Sequence, residues 1–217
     1  MDHGSIGQRP VTTERSEGCE RGGARDEAPP KFPQVLRRAY LVKARNAIFM
    51  GYRIGFGVDF HQLAEGREFW LGGVQIPASR GAVGHSDADV LIHAICDALL
   101  GALNLGDIGL HFPNTDPAYK DIDSKILLQK TYALVRSKEY RVVNIDSTVC
   151  LEAPKIMKYA PMMREAIAAV LHIAADDISI KATTTEQLGF IGRGEGLTAY
   201  ATVLVDRPEG GPREAQT

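Results

Sequence analysis

The chain has 217 residues, of which 44% are hydrophobic and 24% are charged, and its formal net charge is −2. This composition is typical of a soluble globular protein, and the near-balanced charge argues against a nucleic acid or an anionic membrane as partner. No apolar run reaches the roughly 18–20 residues that a membrane span requires. Cys19, Cys96 and Cys150 are scattered without a CxxC spacing, which favours unpaired cysteines in a reducing compartment.

The first fifty residues differ in composition from the rest of the chain. Residues 1–30 are rich in Gly, Arg, Glu and Pro, so we expect residues 1–50 to be a disordered or non-native arm. This arm holds nine Lys and Arg but also six Asp and Glu. Transit peptides are poor in acids, so upstream sequence outside the folded domain is favoured over a targeting segment. The domain is predicted at residues 51–207, with a disordered tail at 208–217.

The remaining chain alternates between strand-like and helix-like patterns. Strands are predicted at residues 52–60, 141–151, 177–185 and 197–205, helices at 86–104, 124–138 and 161–172, and a hairpin at 68–76. Ser86 and Asp89 form a capping-box pattern at the start of the first helix, and Asp87 adds charge to its first turn. Loops are predicted at 106–117 and 189–196 from their Gly, Pro, Asn and Asp content. These elements predict an α+β fold, with a mixed four-stranded sheet, helices packed on one face and a small hairpin.

Two short patterns point to a metal. Asp59 and His61 are two residues apart at the end of the first strand, so their side chains share a face. His93 follows His85 by eight residues, which leaves about 80° between them on a helix. Two histidines and one carboxylate leave one tetrahedral position open for a substrate, which is typical of a catalytic zinc ion.

A second group of residues points to phosphate. His85 precedes a predicted helix start, where free amides and the helix dipole attract anions. Thr183, Thr184 and Thr185 directly precede Glu186. Hydroxyls hold phosphate oxygens, and a nearby carboxylate can hold Mg²⁺, which prefers oxygen ligands. On composition alone, ordinary threonines at a strand end are favoured over a phosphate site.

These segments together resemble the 2-C-methyl-D-erythritol 2,4-cyclodiphosphate synthase family of the non-mevalonate isoprenoid pathway. The resemblance covers about residues 52–206 and rests on RIGFGVDFH, GGVQIP, GHSDADVLIHAICDALLGALNLGDIG, FPNTDP, LEAPKI and KATTTEQLGFIGRGEG. It implies a lyase that converts 4-diphosphocytidyl-2-C-methyl-D-erythritol 2-phosphate to the cyclic diphosphate and releases CMP. It also implies a homotrimer with each active site between two subunits.

The resemblance assigns roles to individual residues. It implies Zn²⁺ on Asp59, His61 and His93, a second divalent ion (Mg²⁺ or Mn²⁺) on Glu186, and transition-state stabilisation by His85 and Thr184. The expected substrate contacts are Asp59, Phe60, His61, His85, Ser86, Asp107, Ile108, Gly109, Phe112, Pro113, Asn114, Thr115, Asp116, Leu151, Glu152, Ala153, Pro154, Lys155, Ile156, Met157, Thr183, Thr184, Thr185, Glu186, Phe190 and Arg193. Within this set, residues 151–157 match the cytidine pocket.

The resemblance also places Phe190, Arg193 and Glu195 near the trimer axis, where some members of the family bind an isoprenoid diphosphate. Asn114 departs from the family pattern, which has Asp at this position, so the role of Asn114 stays open. The bacterial cytoplasm is the expected compartment, or a plastid if residues 1–50 are a transit segment. Two other functions remain: a zinc phosphohydrolase with Asp89 as the general base, and a non-catalytic trimeric isoprenoid-diphosphate binder.

Overall fold

A computed structural model describes residues 51–208 of the chain. The arm predicted at 1–50 lies outside the described residues, and so does the predicted tail apart from Pro208. The described part forms a five-stranded sheet with a separate two-stranded hairpin and helices, which confirms the α+β class. Among the residues described, no helix is both long and apolar enough to cross a bilayer.

The sheet is mixed, and its strand order is β4-β1-β7-β5-β6. Strand β1 pairs antiparallel with β4 and β7, β7 pairs antiparallel with β5, and β5 pairs parallel with β6. The hairpin consists of β2 and β3. The strands are β1 (Arg53–Glu65), β2 (Trp70–Leu71), β3 (Val74–Gln75), β4 (Arg80–Val83), β5 (Arg141–Cys150), β6 (Ile178–Thr183) and β7 (Gly196–Asp206).

Helices cover one face of this sheet. They are α1 (Val90–Ala102), α2 (Ile108–His111), α3 (Ser124–Ser137), α4 (Ala160–Leu171) and α5 (Gly189–Gly192). Helix α1 is the central one and buries ten of its thirteen residues against the sheet and the other helices. Its close approach depends on Gly55 and Gly57, because a Cβ at either position would overlap the backbone of α1 near Ala98 or Ala94.

Strand β1 alternates as a strand with one covered face should. Gly55, Gly57 and Asp59 face α1. Ile54 and Phe56 point to the other face of the sheet, and their exposed fractions are 71% and 62%. Within residues 51–208, therefore, this second face carries large apolar side chains in contact with solvent.

One predicted boundary near the site and the predicted number of strands are wrong. The first helix begins at Val90 instead of Ser86, because Ala88 has a φ of 58° and the carboxylate of Asp89 caps the helix by accepting from the amide of Ile92. Ser86 and Asp87 therefore precede the helix, and the angle calculated between His85 and His93 on one helix does not apply. The sheet also has one strand more than predicted, since the short edge strand β4 pairs with the second half of β1.

Candidate active site

Three of the predicted ligand atoms converge at the end of β1. The Oδ2 atom of Asp59 lies 3.0 Å from Nε2 of His61 and 3.0 Å from Nδ1 of His93, and the two nitrogens are 3.2 Å apart. Zinc–ligand distances of about 2.0–2.1 Å place the ligands of a tetrahedral ion roughly 3.3 Å from one another. The observed spacing therefore fits one tetrahedrally bound divalent metal ion.

The protein fixes which nitrogen of His61 is available. Nδ1 of His61 lies 2.9 Å from the carbonyl oxygen of Val83 on the edge strand β4. A carbonyl can only accept, so Nδ1 carries a proton, and Nε2, which faces Asp59 and His93, is the nitrogen available to a metal. The strand that the sequence did not predict thus orients one of the predicted ligands.

Two serine hydroxyl groups lie close to the Nε2 atom of His93, while its Nδ1 atom faces Asp59. Nε2 of His93 lies 3.0 Å from Oγ of Ser124 and 3.1 Å from Oγ of Ser86. Ser124 begins α3, and its side chain is fully buried. Sequence analysis missed Ser124 because it lies 31 residues from His93 and belongs to no recognisable metal-binding pattern.

The carboxylate of the cluster is strongly acidic. Burial alone would raise the pKa of Asp59, but the hydrogen bonds of its carboxylate with His61 and His93 outweigh burial, and the pKa lies far below its usual value. The hydrogen bond and charge of Asp59 in turn overcome burial and raise the pKa of His61. Asp59 is therefore an anion at neutral pH, which is the form that binds a metal.

The predicted anion site at the start of α1 is not formed. Asp89 occupies that helix end, because its Oδ1 atom accepts from Ile92 at 3.0 Å and its backbone carbonyl accepts from the amide of His93. His85 lies in the preceding loop, where its Nε2 atom is 3.3 Å from the carbonyl oxygen of Asp116. Any role of His85 toward phosphate therefore rests on its imidazole and not on the helix dipole.

The threonine-rich corner forms a second cluster after β6. The hydroxyl of Thr184 donates to Oε1 of Glu186 at 2.7 Å. Glu152 accepts from the amide and hydroxyl of Thr185 at 3.0 and 3.1 Å and from the amide of Gln187 at 3.3 Å. Glu186 and Gln187 have φ values of 53° and 65°, which non-glycine residues rarely adopt. Glu152 was expected to contact cytidine, and its hydrogen bonds hold the loop that carries Glu186.

The segment expected to hold cytidine borders a cavity of about 240 Å³. Pro154, Lys155 and Met157 line this cavity together with Pro77, Lys158 and Tyr159. Leu151 and Ile156 are 5% and 3% exposed and pack in the core. Their side chains are therefore not available to a ligand, and only their backbone can contribute. Ala153 is exposed.

In the loop expected to bind the substrate hydroxyls, two acidic side chains accept hydrogen bonds from backbone amides of the loop itself. Asp107 caps α2 by accepting from the amide of Leu110, and Asp116 accepts from the amide of Ala118. The amide of Ile108 donates to Asp97 at 2.7 Å, one helical turn after His93. Phe112 is buried, whereas Gly109, Pro113, Asn114 and Thr115 are exposed. Asp97 was missed by sequence analysis, although its position four residues after a ligand on the same helix was a usable signal.

Phe190 lies beside Phe60 of β1. Phe60 and Phe190 have ring centroids 6.3 Å apart and line a cavity of about 370 Å³ with His61, Gln62, Glu195 and Gly196. Arg193 does not line this cavity, because its guanidinium forms a two-point ion pair with Glu195 at 2.7 and 3.0 Å.

The comparisons with known proteins decide the family. Residues 52–206 match the family model described as the YgbB family. The chain belongs to the YgbB family. A protein of Bacteroides thetaiotaomicron named 2-C-methyl-D-erythritol 2,4-cyclodiphosphate synthase is 62% identical over 158 residues, which are 73% of this chain and 99% of that protein. The synthase of the same name from Porphyromonas gingivalis is 58% identical over 154 residues, 71% of this chain and 95% of that protein.

Solved structures with the same fold support the assignment to this family. A 2C-methyl-D-erythritol-2,4-cyclodiphosphate synthase in its CDP-bound form aligns with a TM-score of 0.66 at 36% identity, covering 71% of this chain and all of that one. The IspF CDP complex of Plasmodium falciparum aligns with a TM-score of 0.65 at 34% identity, covering 74% and 99%. The bifunctional IspDF of Campylobacter jejuni aligns with a TM-score of 0.71 at 41% identity, and this chain spans 43% of its length. The resemblance seen in the sequence is therefore confirmed.

Proposed function

We propose that this YgbB-family chain converts 4-diphosphocytidyl-2-C-methyl-D-erythritol 2-phosphate to 2-C-methyl-D-erythritol 2,4-cyclodiphosphate and releases CMP, in the non-mevalonate isoprenoid pathway. The observation that carries the proposal is the convergence of Asp59, His61 and His93 on one point with one ligand position left over. The names of relatives that the chain covers almost end to end support the same reaction.

The nucleophile and the leaving group both belong to the substrate, so the reaction needs no added nucleophile. An oxygen of the 2-phosphate forms a bond to the β-phosphorus of the same molecule, and the bond from that phosphorus to the bridging oxygen breaks. The bridging oxygen leaves with the electron pair as part of CMP. Because the nucleophile is already an anion, the protein must supply positioning and charge stabilisation and not a strong base.

Each group of side chains would have one task in this reaction. Asp59, His61 and His93 would hold Zn²⁺, and Glu186 would hold the second divalent cation beside Thr184. A zinc ion at this position supplies a Lewis acid for the diphosphate oxygens and lowers the repulsion between the two phosphates. Thr184 and His85 would donate hydrogen bonds to oxygens whose charge grows as the new bond forms.

The nucleotide would be held apart from the reacting phosphates. The cavity beside Pro154, Lys155 and Met157 is the expected cytidine site, and the CDP complexes of two solved relatives support a cytidine nucleotide as the ligand class. Lys155 is exposed and can reach a nucleotide at this surface.

The spacing of the sheet favours an active site shared between copies of the chain. Asp59 pairs with Ala199 on β7, Ala199 pairs with Val149 on β5, and Val149 pairs with Ala182 on β6. The metal cluster and the threonine-rich corner are therefore three strand spacings apart, which is about 14 Å. One diphosphate cannot span this distance. We therefore propose that the corner of one subunit completes the metal cluster of a neighbour in a homotrimer.

The exposed apolar face of the sheet supports this assembly. Ile54 and Phe56 are largely exposed, and such a patch on a globular protein commonly marks an interface. Phe60 is 54% exposed on the same face and borders the cavity that also contains Phe190. An isoprenoid diphosphate at the trimer axis would use this cavity, with Arg193 turned from Glu195 toward the diphosphate.

The contacts of Asp89 argue against the zinc phosphohydrolase. That function needs a base near the metal, and Asp89 was its candidate. Asp89 is fully buried, and its two carboxylate oxygens accept from the amides of Gly72, Gly73 and Ile92. A carboxylate occupied in this way has no path to a metal-bound water, so cyclisation is favoured over hydrolysis.

We place this reaction in the bacterial cytoplasm, which the bacterial sources of the curated relatives support. The plastid alternative depends on residues 1–50.

Phosphorus NMR of the product is the decisive experiment. Incubation of the purified chain with the substrate, Zn²⁺ and Mg²⁺ should give two mutually coupled phosphorus signals and an equimolar amount of CMP. Inorganic phosphate, or an uncoupled monophosphate pair, would instead support the hydrolase. Isoprenoid-diphosphate binding that survives zinc removal, without any CMP release, would support the non-catalytic binder.

A further inference from the structure

We infer that Ser124 and Asp87 are positioning residues for His93, which they orient as a metal ligand through a carboxylate–hydroxyl–imidazole chain. Neither residue is part of the expected ligand or substrate set. The inference rests on the proposed metal centre and adds a claim about residues that do not touch the metal.

The direction of each hydrogen bond in the chain follows from the number of protons available. The hydroxyl of Ser124 donates to Oδ1 of Asp87. A serine hydroxyl has one proton, so toward Nε2 of His93, 3.0 Å away, the same oxygen can only accept. His93 must therefore carry its proton on Nε2. Its Nδ1 atom, 3.0 Å from Asp59, is then the nitrogen that faces the metal position.

Asp87 is itself held in place by the loop before α1. Its Oδ2 atom accepts from the amide of Ser124 at 2.9 Å, and its Oδ1 atom lies 3.2 Å from the amide of Asp89. Its own amide donates to the carbonyl of Ile122 at 3.1 Å. These contacts fix the carboxylate relative to the start of α3, and hence fix the hydroxyl that receives the proton of His93. Asp87 was expected to add negative charge to the first turn of the helix, but in the structure it holds the hydroxyl of Ser124.

Burial makes the arrangement effective. Ser124 is fully buried and His93 is mostly buried, so water cannot substitute freely for the hydroxyl. Ser86 lies 3.1 Å from the same nitrogen of His93, and its oxygen, which also accepts from the amide of Ala88 at 3.2 Å, is a second acceptor for the Nε2 proton. Outer hydrogen bonds of this kind orient a metal-bound histidine and make it more basic, and losing one commonly lowers metal affinity about 10–100-fold.

Zinc affinity is the property to measure. In competition with a fluorescent chelator, we expect Ser124→Ala to weaken Zn²⁺ binding by the full chain about 10–100-fold. Asp87→Asn, which keeps an acceptor oxygen for the hydroxyl of Ser124, should weaken binding by a smaller factor. The matched control is Asp123→Ala, because Asp123 caps the same helix by accepting from Lys125 at 2.8 Å and has no hydrogen bond to His93. It should lower the melting temperature while leaving zinc affinity within twofold.

A spectroscopic readout separates positioning from a loss of fold. In the zinc-bound protein labelled with ¹⁵N, His93 should show a slowly exchanging proton on Nε2, and this signal should vanish in Ser124→Ala. A Ser124→Ala variant that binds zinc within twofold of the unmodified chain and keeps this signal would overturn the inference alone. An unmodified chain that binds no zinc would overturn the metal centre and the inference together.

Discussion

The carboxylate of Glu152 accepts from the amide of Thr185 at 3.0 Å and shares the hydroxyl proton of Thr185, 3.1 Å away, with the carbonyl of Leu188. These bonds cross from the loop after β5 to the loop after β6. They link the expected nucleotide segment to the corner in which Glu186 and Gln187 adopt positive φ values. Hydrogen bonds therefore link the expected nucleotide segment to the expected second metal ligand within one subunit.

Removal of the Glu152 carboxylate should loosen this corner. In Glu152→Ala, the amides of Thr185 and Gln187 lose their acceptor, and we expect their hydrogen exchange to accelerate roughly tenfold or more. CMP release should fall because Glu186 is no longer held beside Thr184. Glu152→Gln retains a carbonyl oxygen and should keep most of the protection. Unchanged exchange in Glu152→Ala would show that the corner is held by other contacts.

The same contact should respond to pH. The hydrogen bond from the backbone of Thr185 is the main cause that lowers the pKa of Glu152 below its ordinary value of 4.5, and those from Gln187 and the Thr185 hydroxyl add to it. A lowered folded-state pKa means that the stabilisation is complete above pH 4.5 and is lost as the pH falls through the folded pKa. Exchange protection at Thr185, corrected for intrinsic rates, should therefore be flat at neutral pH and collapse in acid. Glu152→Gln should show no such acid transition.

Asp89→Asn tests whether this buried acid is structural or catalytic. The amide side chain offers only one acceptor to three backbone donors, so we expect a loss of about 1–3 kcal/mol in the free energy of unfolding. Below its melting temperature the variant should retain zinc and release CMP at nearly the normal rate. Denaturant unfolding and a CMP assay measure the two effects. A loss of activity beyond a hundredfold with zinc retained would instead indicate a proton-transfer role.

Gly57→Ala should disturb both packing and the metal centre. A Cβ at residue 57 would overlap the backbone of α1 at Ala94, so the strand or the helix must move, at a cost of about 1–3 kcal/mol or more. Since Asp59 follows two residues later on the same face of β1, zinc binding should weaken as well. Thermal unfolding and zinc titration provide the measurements.

The matched control for that substitution lies on α1 itself. A Cβ at Gly101 would have only the carbonyl oxygen of Phe56 within reach, at 4.0 Å. Gly101→Ala should therefore stabilise the protein by about 0.5–1 kcal/mol, because alanine is the better helix former. Equal destabilisation by the two substitutions would show that the close approach of β1 to α1 is not the cause.

Phe56→Asp should dissociate the proposed trimer. Phe56 is 62% exposed in a single chain, on the apolar face of β1, and a carboxylate buried there in an assembly would lack a partner. Sedimentation should shift from trimer to monomer, and CMP release should fall with it. Ile126→Asp on α3, the matched control, introduces the same change at a side chain that is 42% exposed on the helical layer, and it should leave the trimer intact. Retention of the trimer in Phe56→Asp would place the interface elsewhere.

Much of the fold could be predicted because its signals are local. The alternation along β1 placed Asp59 and His61 on one face, and the apolar pattern of α1 brought His93 over that face, as the structure shows. The strand β4 was missed because it is four residues long and owes its conformation to pairing with β1. The helix start at Val90 was misplaced because the positive φ of Ala88 has no sequence signature.

The residues that support the site were harder to find than the residues that form it. Ser124 and Asp87 act through hydrogen bonds that span 31 and 37 positions of the chain, and nothing in the spacing of the sequence marks them. Glu152 was assigned to the nucleotide because its neighbours match that pocket, whereas its contacts are with the threonine corner. Only the pairing of distant loops reveals such roles.

The ligand strand β1 lies between an edge strand and the C-terminal strand. Asp59 pairs with Ala199 and His61 with Leu197, so β1 has no partner on that side until β7 is in place. During synthesis, which proceeds from the N-terminus, all three ligands leave the ribosome about a hundred residues before their scaffold is complete. We therefore expect metal binding only once β7 is in place, so metal content should report whether a preparation has folded through to β7.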